Sequence, residues 1–355
     1  MKVFRKFLLV PIIVFISVLV LKKIFDVYPD FLDLVYRDFI FPVIRYVYDY
    51  LIGFWLPIPM VWISFTIIFY FIFFKKYKHK TLKSLLAQIF GHILIVFSLF
   101  YLLWGWNYSQ KSIAERMDLT LQPVDTISLF AEAEWLVQEL NKSRSALQND
   151  SLALVDTFSN RMSIEKDVRT VLSKTLDDIG YNSYGRPRVR VLAPKGVLLR
   201  FKTAGIYMPY AFEGHIDGGL LQLEWPYTIA HEMSHAYGIT DEGECNFTAY
   251  LACMSSEDPY FRYSAQIDYG LYLMRDVYKA SKVKHKAIFS KLHPGFKADL
   301  KAMRENNAKY PDILPSLRDF MYDSYLKSNG VKAGLRSYSQ LVGLIIAYKQ
   351  KEEFN

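Results

Sequence analysis

Three long apolar segments in the first third of the 355-residue chain constrain its fold more than any other feature. They cover residues 7–21, 51–74 and 84–106. A helix needs about 20 apolar residues to cross a bilayer. The second and third segments meet that length with few charges, which argues against core helices of a soluble protein. The first is shorter and has a basic start like a signal peptide, but it runs into Lys22-Lys23 without a small-residue cleavage site. The sequence therefore predicts three N-terminal transmembrane helices within residues 1–106, the first of them uncleaved.

The distribution of lysines predicts how these helices are oriented. The short loop between the second and third apolar segments is rich in lysine: Lys75, Lys76, Lys78, Lys80 and Lys83. Positively charged loops stay in the cytoplasm, so the third segment should leave it near Trp104 and Trp106, residue types that suit the membrane interface. We therefore expect a multi-pass protein of the inner membrane, with residues 107–355 forming an extracytoplasmic, periplasmic domain.

Composition narrows the class of partner. The chain has a formal net charge of +8 and is 52% hydrophobic. Much of the positive charge lies beside the apolar segments, and the remainder of the chain mixes both signs. A nucleic-acid-binding domain would show basic stripes interleaved with stacking aromatics. We therefore expect the lipid bilayer and a peptide or protein substrate as partners, and no nucleic acid.

The two cysteines do not indicate a disulfide. Cys245 and Cys253 lie eight residues apart in a segment that reads as one helix. At about 1.5 Å rise per residue, their Cα atoms would be roughly 12 Å apart. Bridged Cα atoms lie within about 7 Å of each other, so both thiols should be free.

The chain beyond the apolar segments has the pattern of an α+β domain that is mostly helical, with a small β-sheet. Helical periodicity covers residues 124–147 and 163–180. Strand patterns cover residues 187–192 and 195–210, and residues 211–223 resemble a further edge strand. Pro226 then opens a helix that Gly238 closes, which is the expected polarity of these two residue types. The C-terminal hundred residues read as helices.

That helix carries the motif with the most chemical content, His231-Glu232-Met233-Ser234-His235. Residues four apart share a helix face, so His231 and His235 can direct two imidazoles at one Zn²⁺ ion, for which neutral imidazole is a good ligand. Glu232 lies about 100° around the helix from His231. It can therefore reach a water at the metal and act as the general base of peptide hydrolysis.

The five-residue pattern also occurs by chance, as an ordinary pair of surface histidines. Its context favours a metal site. The motif follows strand-like segments, and an acidic cluster comes within ten residues of it: Asp241, Glu242 and Glu244. The other five histidines are scattered, so the pair is not the by-product of a histidine-rich tract.

Residues 244–252 resemble the gluzincin arrangement, in which a glutamate on a second helix completes the zinc site. Asn246, Phe247 and Ala249 match families with a Glu-Ala-Asn-Phe-x-Ala run, although Cys245 stands where alanine is usual. This resemblance implies that Glu244 is the third zinc ligand, beside His231 and His235.

Two alternatives for the third ligand stay open. Glu242 lies two residues earlier and would point elsewhere on a helix that starts there. Asp241 lies where the metzincins, with their longer motif, place their last ligand. The oxyanion-stabilising group that a peptidase needs is open as well, with Tyr338, Arg262 and His215 as candidates. Because an extended peptide can bind to a sheet edge, residues 210–220 are a candidate for the substrate-binding strand.

The chain as a whole resembles an uncharacterised bacterial family of membrane proteins with three N-terminal transmembrane helices and one His-Glu-x-x-His domain. The resemblance is carried by residues 104–108, 226–252, 325–330 and 337–339, and it covers almost the whole chain. It implies an architecture, without a substrate. Taken with the motif, it predicts a membrane-anchored zinc metallopeptidase of the gluzincin type. Two other interpretations remain, a non-peptidase zinc hydrolase acting on an envelope amide or ester and an inactive zinc-binding scaffold.

Overall fold

A computed structural model describes residues 2–52, 60–70, 82–148, 150, 152–153, 161–329 and 340–354. The chain divides into two compact units. The first comprises Met1–Lys111 with the short segments Tyr184–Arg188 and Tyr207–Glu213. The second comprises Ser112–Ser183, Val189–Ile206 and Gly214–Asn355.

Two long helices that pack against each other dominate the first unit, α1 (Lys2–Val27) and α5 (Leu82–Leu103). Residues Leu8–Val27 of α1 and all of α5 are long and apolar enough to cross a membrane. For the three predicted transmembrane helices, the described part of the chain therefore contains two candidates. Of the second apolar segment, residues 51–52 and 60–70 are described, including α4 (Met60–Phe69), and residues 53–59 and 71–74 lie outside the described residues.

From Pro29 to Ile52 the chain is helical, with short α-helical and π-helical stretches in turn. These are α2 (Pro29–Leu32), a π-helix (Asp33–Ile40), α3 (Phe41–Tyr46) and a second π-helix (Val47–Ile52). After α5, a 3₁₀ helix covers Gly105–Ser109. Its Trp106 packs edge-on against Phe25 and Tyr36, with ring centroids 5.4 and 5.3 Å apart. Trp104 and Trp106 are both buried within this unit.

The second unit is mostly helical, as predicted for an α+β domain. Its helices before the sheet are α6 (Ile113–Arg116), α7 (Thr126–Leu147) and α8 (Arg161–Asp178). Those after the sheet are α9 (Trp225–Ala236), α10 (Glu242–Met254), α11 (Pro259–Ala280), α12 (Lys282–Ser290), α13 (Pro294–Ala308), α14 (Pro315–Ser328) and α15 (Leu341–Phe354). The apolar faces of α7 to α11 and α15 form the hydrophobic core, as expected for amphipathic helices around one centre.

A three-stranded sheet accounts for the β component. Its strands are β1 (Arg188–Leu192), β2 (Gly205–Met208) and β3 (Glu213–Asp217), and their order in the sheet is β1-β3-β2. The prediction that residues 211–223 form an edge strand is wrong, because β3 lies in the centre. Every residue of β3 is buried, so this strand cannot offer a free edge to a peptide.

The strand predicted over residues 195–210 forms only in its last part. The carboxylate of Asp217, fully buried, accepts hydrogen bonds from the backbone amides of Gly196 and Leu198 at 2.6 and 2.7 Å. These bonds hold residues 196–198 in a turn that leads into a 3₁₀ helix, Leu199–Phe201. Local alternation in the sequence could not reveal this tertiary anchor.

The two helices that carry the motif begin and end where their sequence signals place them. Pro226 lies in the first turn of α9, and Gly238 follows the helix with a φ of 103°, a left-handed conformation that suits glycine. Asp241 caps α10 by accepting hydrogen bonds from the amides of Gly243 and Glu244. Cys245 and Cys253 both lie buried on α10 as free thiols, which confirms the prediction of no disulfide.

Candidate metal centre

The two motif histidines lie one turn apart on the same face of α9. Their ring centroids are 4.9 Å apart, and the rings are nearly perpendicular. All the other residues of α9 are buried. The position of this helix is therefore set by packing against the rest of the protein, and little of it faces solvent. The predicted pairing of His231 and His235 is therefore present in the structure.

Each imidazole is held through its Nδ1 atom. Nδ1 of His235 lies 2.9 Å from the carbonyl oxygen of Ile239. A carbonyl can only accept, so this Nδ1 carries the proton. Nδ1 of His231 lies 2.8 Å from the side-chain oxygen of Asn246, which also accepts from the hydroxyl of Tyr227 at 3.1 Å. Both histidines are thereby oriented through Nδ1, the arrangement typical of metal ligands that bind through Nε2.

Glu242 completes the group. Its Oε2 atom lies 3.1 Å from Nε2 of His231 and 3.3 Å from Nε2 of His235. One ligand atom from each of the three residues lies within 4.8 Å of the others. We call His231, His235 and Glu242 the metal group, since a buried set of two imidazoles and a carboxylate could hold a metal ion.

Electrostatics tie the members of the metal group together. Burial by itself raises the pKa of Glu242, but the adjacent histidines outweigh it and hold that pKa well below its usual range. Burial lowers the pKa of His235, and its contacts with Cys245 and Glu242 more than compensate and raise it well above the usual value. The carboxylate thus attracts positive charge to this point, and a metal cation would supply it in place of a proton.

Glu244, the residue that the gluzincin resemblance implied as third ligand, lies elsewhere. Its Oε1 atom accepts hydrogen bonds from the backbone amides of Ile113 and Ala114 at 2.5 and 3.3 Å, at the start of α6. The physical reason is the start of α10. Because Asp241 caps the helix, Glu242 and Glu244 both lie in its first turn, and two residues correspond to about 200° of rotation. Of the three candidates, the structure brings Glu242 to the histidines, while Asp241 serves as the cap.

Glu232 lies beside the metal group and outside it. Its side chain is 4% exposed, and its Oε2 atom has no hydrogen-bond partner among the described residues. Burial raises the pKa of Glu232 to about 7, against the opposing influence of the two histidines. A buried carboxylate without a hydrogen-bond partner is unusual, and together with the raised pKa it makes Glu232 a candidate functional residue.

Two strand glycines make room for Glu232. A Cβ atom at Gly205 of β2 would lie 2.5 Å from Oε1 of Glu232, and one at Gly214 of β3 would lie 2.8 Å from its Cβ. Any side chain at either position would therefore displace the glutamate. Glycine inside a strand often marks such a close approach, so Gly205 and Gly214 are the sequence signal that points to this space.

Neither of the two described candidates for oxyanion stabilisation, Arg262 and His215, belongs to the metal group. Arg262 donates a hydrogen bond to the carbonyl of Ser256 at the start of α11. His215 lies fully buried on β3, where burial lowers its pKa to about 4. Tyr338 lies outside the described residues. The positioning role of Asn246 was also missed, because its pairing with His231 depends on how α10 packs against α9.

Comparison with known proteins gives a family and no activity. A family model described as "Protein of unknown function (DUF3810)" matches residues 36–346. No curated protein and no solved structure matches the chain. The matched range includes α5, the sheet and the whole metal group. Because it covers most of the chain, this protein belongs to the DUF3810 family.

Proposed function

We propose that this protein is a zinc-dependent metallopeptidase in which His231, His235 and Glu242 hold the metal and Glu232 is the general base. One observation carries the proposal. The imidazoles of His231 and His235, both fixed through Nδ1, converge with the carboxylate of Glu242. A second carboxylate, that of Glu232, follows His231 directly on α9 and has an oxygen without a hydrogen-bond partner among the described residues. A chance pair of histidines would not need this supporting arrangement.

The donor set fits zinc. Neutral imidazole nitrogens and a carboxylate oxygen are its usual ligands, and a catalytic site has three protein ligands with a fourth position left for water. Structural zinc sites are normally closed by four protein ligands. In the described part of the chain, the group contains three. When bound, zinc would act as a Lewis acid and make the attacking water more acidic.

The protein residues have separate tasks in this proposal. Glu232 accepts a proton from the attacking water and later donates it to the leaving amine, which is the work of a general acid–base residue with a pKa near the working pH. Asn246 and the carbonyl of Ile239 keep the two imidazoles oriented. Gly205 and Gly214 leave the space that Glu232 occupies.

The membrane setting is part of the same proposal. The two apolar helices α1 and α5 anchor the chain in the membrane. The apolar segment between them, residues 51–74, crosses the membrane as well, which gives three crossings. The lysines of residues 75–83 then keep that loop in the cytoplasm and the metal group outside it. A reporter enzyme that works only in the periplasm, fused after Asn107, should be active. Activity of a cytoplasmic reporter at the same fusion point would reverse the orientation.

The decisive experiment uses the full chain in detergent, with metal analysis and a peptide library. Wild type should carry about one zinc per chain and cleave peptides in a chelator-sensitive way. Glu232→Gln should keep the zinc and lose turnover by roughly 10² to 10⁴, the usual contribution of a positioned general base. Unchanged turnover in this variant would remove Glu232 from the mechanism. If the zinc-loaded protein cleaves no peptide but hydrolyses esters, the assignment as a peptidase is wrong and the protein is another kind of zinc hydrolase.

A further inference from the structure

A second candidate site lies in the same unit, in a cavity between α7, α11, α12 and α13. Its volume is about 400 Å³, within the range of roughly 300 to 1,000 Å³ that is usual for small-molecule sites. Its walls are mainly apolar and include Leu140, Met274, Phe289, Phe296 and Leu300. No member of the metal group lines it.

One face of α11 forms the outer wall. Leu271, Met274, Arg275 and Tyr278 recur at the spacing of a single helix face, and all four line the cavity. Leu271 and Tyr278 are about half exposed, at 47% and 48%. These two exposed side chains continue the apolar surface of the cavity outward to the protein surface. A continuous apolar surface of this kind is what a long apolar ligand requires.

Two of the side chains that line this cavity are cationic arginines, and a histidine lies beside them. Arg275, Arg304 and His285 line it. Arg304 is exposed and forms no ion pair within the part of the chain that the structure describes. Arg275 stacks over the ring of Tyr272, with its guanidinium carbon 5.1 Å from the ring centroid, and only a long 3.5 Å contact joins it to Asp276. Both guanidinium groups can therefore bind an anion.

The surrounding segment strengthens this charge. Residues 270–304 contain nine lysines and arginines against two aspartates, an excess of seven in a chain whose total is +8. One of the two aspartates, Asp299, is fully buried and paired with Arg144 at 2.7 Å. The segment around the cavity thus carries a net positive charge, even though Lys291 pairs with Glu134 and Lys301 with Glu305 from outside it, and such a field attracts anionic ligands.

We propose that this cavity, which we call the basic pocket, binds a single-chain anionic amphiphile. Its acyl chain lies along the apolar walls of α11, α12 and α13, and its anionic head pairs with Arg275 and Arg304. An apolar cavity alone would fit any apolar ligand. The two arginines at its rim select a ligand with one negative end.

The test uses the full chain in phosphatidylcholine nanodiscs and a fatty acid that carries a photoactivatable group on its chain. After illumination, mass spectrometry should find the label within residues 270–304. A probe with the same chain and a quaternary ammonium head should label this segment at least tenfold less. Equal labelling by both probes, or labelling confined to α1 and α5, would overturn the proposal.

Paired variants separate the pocket from general surface charge. Arg275→Gln with Arg304→Gln should weaken labelling by about tenfold or more, as expected when charge-assisted hydrogen bonds are lost. Lys286→Gln with Lys301→Gln removes the same charge from α12 and α13 at positions that do not line the pocket, and it should leave labelling unchanged. An equal loss in both pairs would mean that the label only reports overall charge. The comparison of the two probes on wild type decides the question even if a variant is unstable.

Discussion

The metal group and the basic pocket lie in the same unit, yet their polar groups are in opposite situations. In the metal group, the polar side chains are largely buried and each histidine has a fixed partner. Only the neighbouring Glu232 has a carboxylate oxygen without a hydrogen-bond partner among the described residues around it. In the basic pocket the charges sit at an exposed rim around apolar walls. Buried charges must be paired, because removing an unpaired charge from water is costly. Exposed arginines keep their hydration, so they need no protein partner and remain available to a ligand. The first arrangement suits a fixed reaction centre, and the second suits reversible binding.

The largest effect that would break this comparison concerns the third ligand. Glu242→Gln should lower zinc affinity by more than the 10- to 100-fold typical of losing an outer partner, because it removes a ligand. Glu244→Gln is the matched control two residues away. It should leave zinc bound, since the glutamine oxygen can still accept from the amide of Ile113. Metal analysis of both proteins decides, and zinc lost only from the Glu244 variant would restore the gluzincin-derived assignment.

The partner of His231 should have the next largest effect. Asn246→Ala removes the acceptor of the His231 Nδ1 proton, and zinc affinity should fall by about 10- to 100-fold. Asn246→Asp keeps an acceptor in place and should recover most of that loss. Competition with a zinc chelator of known affinity measures both variants. If alanine and aspartate weaken zinc equally, Asn246 supports packing rather than the orientation of the histidine.

The space around Glu232 offers a smaller and more selective test. Gly205→Ala places a methyl group against the Glu232 carboxylate, so turnover should fall by about tenfold or more as the base is displaced. Zinc content should not change, because no ligand moves. Gly343→Ala is the control, since the nearest atom to its new Cβ would lie 3.9 Å away. Equal activity of Gly205→Ala and wild type would show that the glutamate's position is unimportant.

The smallest expected effect tests whether the two regions are independent. Arg304→Gln should leave zinc content and peptide turnover within about twofold of wild type, because effects at sites without shared partners are usually additive. Arg275 is kept in this variant, since it stacks over Tyr272, whose hydroxyl accepts a hydrogen bond from Asn246. Peptide cleavage measured with and without the photoactivatable fatty acid provides the check. A large change in turnover would mean that the pocket and the metal group are coupled.

The sequence by itself determined the local features. The spacing of His231 and His235, the start and end of α9, the free cysteines and the apolar helices α1 and α5 all follow from periodicity and capping over a few residues. These features need no knowledge of distant neighbours. They were sufficient to predict a mostly helical α+β domain with a histidine pair on one helix face.

Only the tertiary structure decided the rest. Which of Glu242 and Glu244 lies beside the two histidines depends on which side of α10 packs against α9, and the central position of β3 depends on pairing between distant strands. The basic pocket exists only where α7, α11, α12 and α13 meet. Such features arise from contacts between residues far apart in the chain, and local patterns do not encode which faces of two helices will meet.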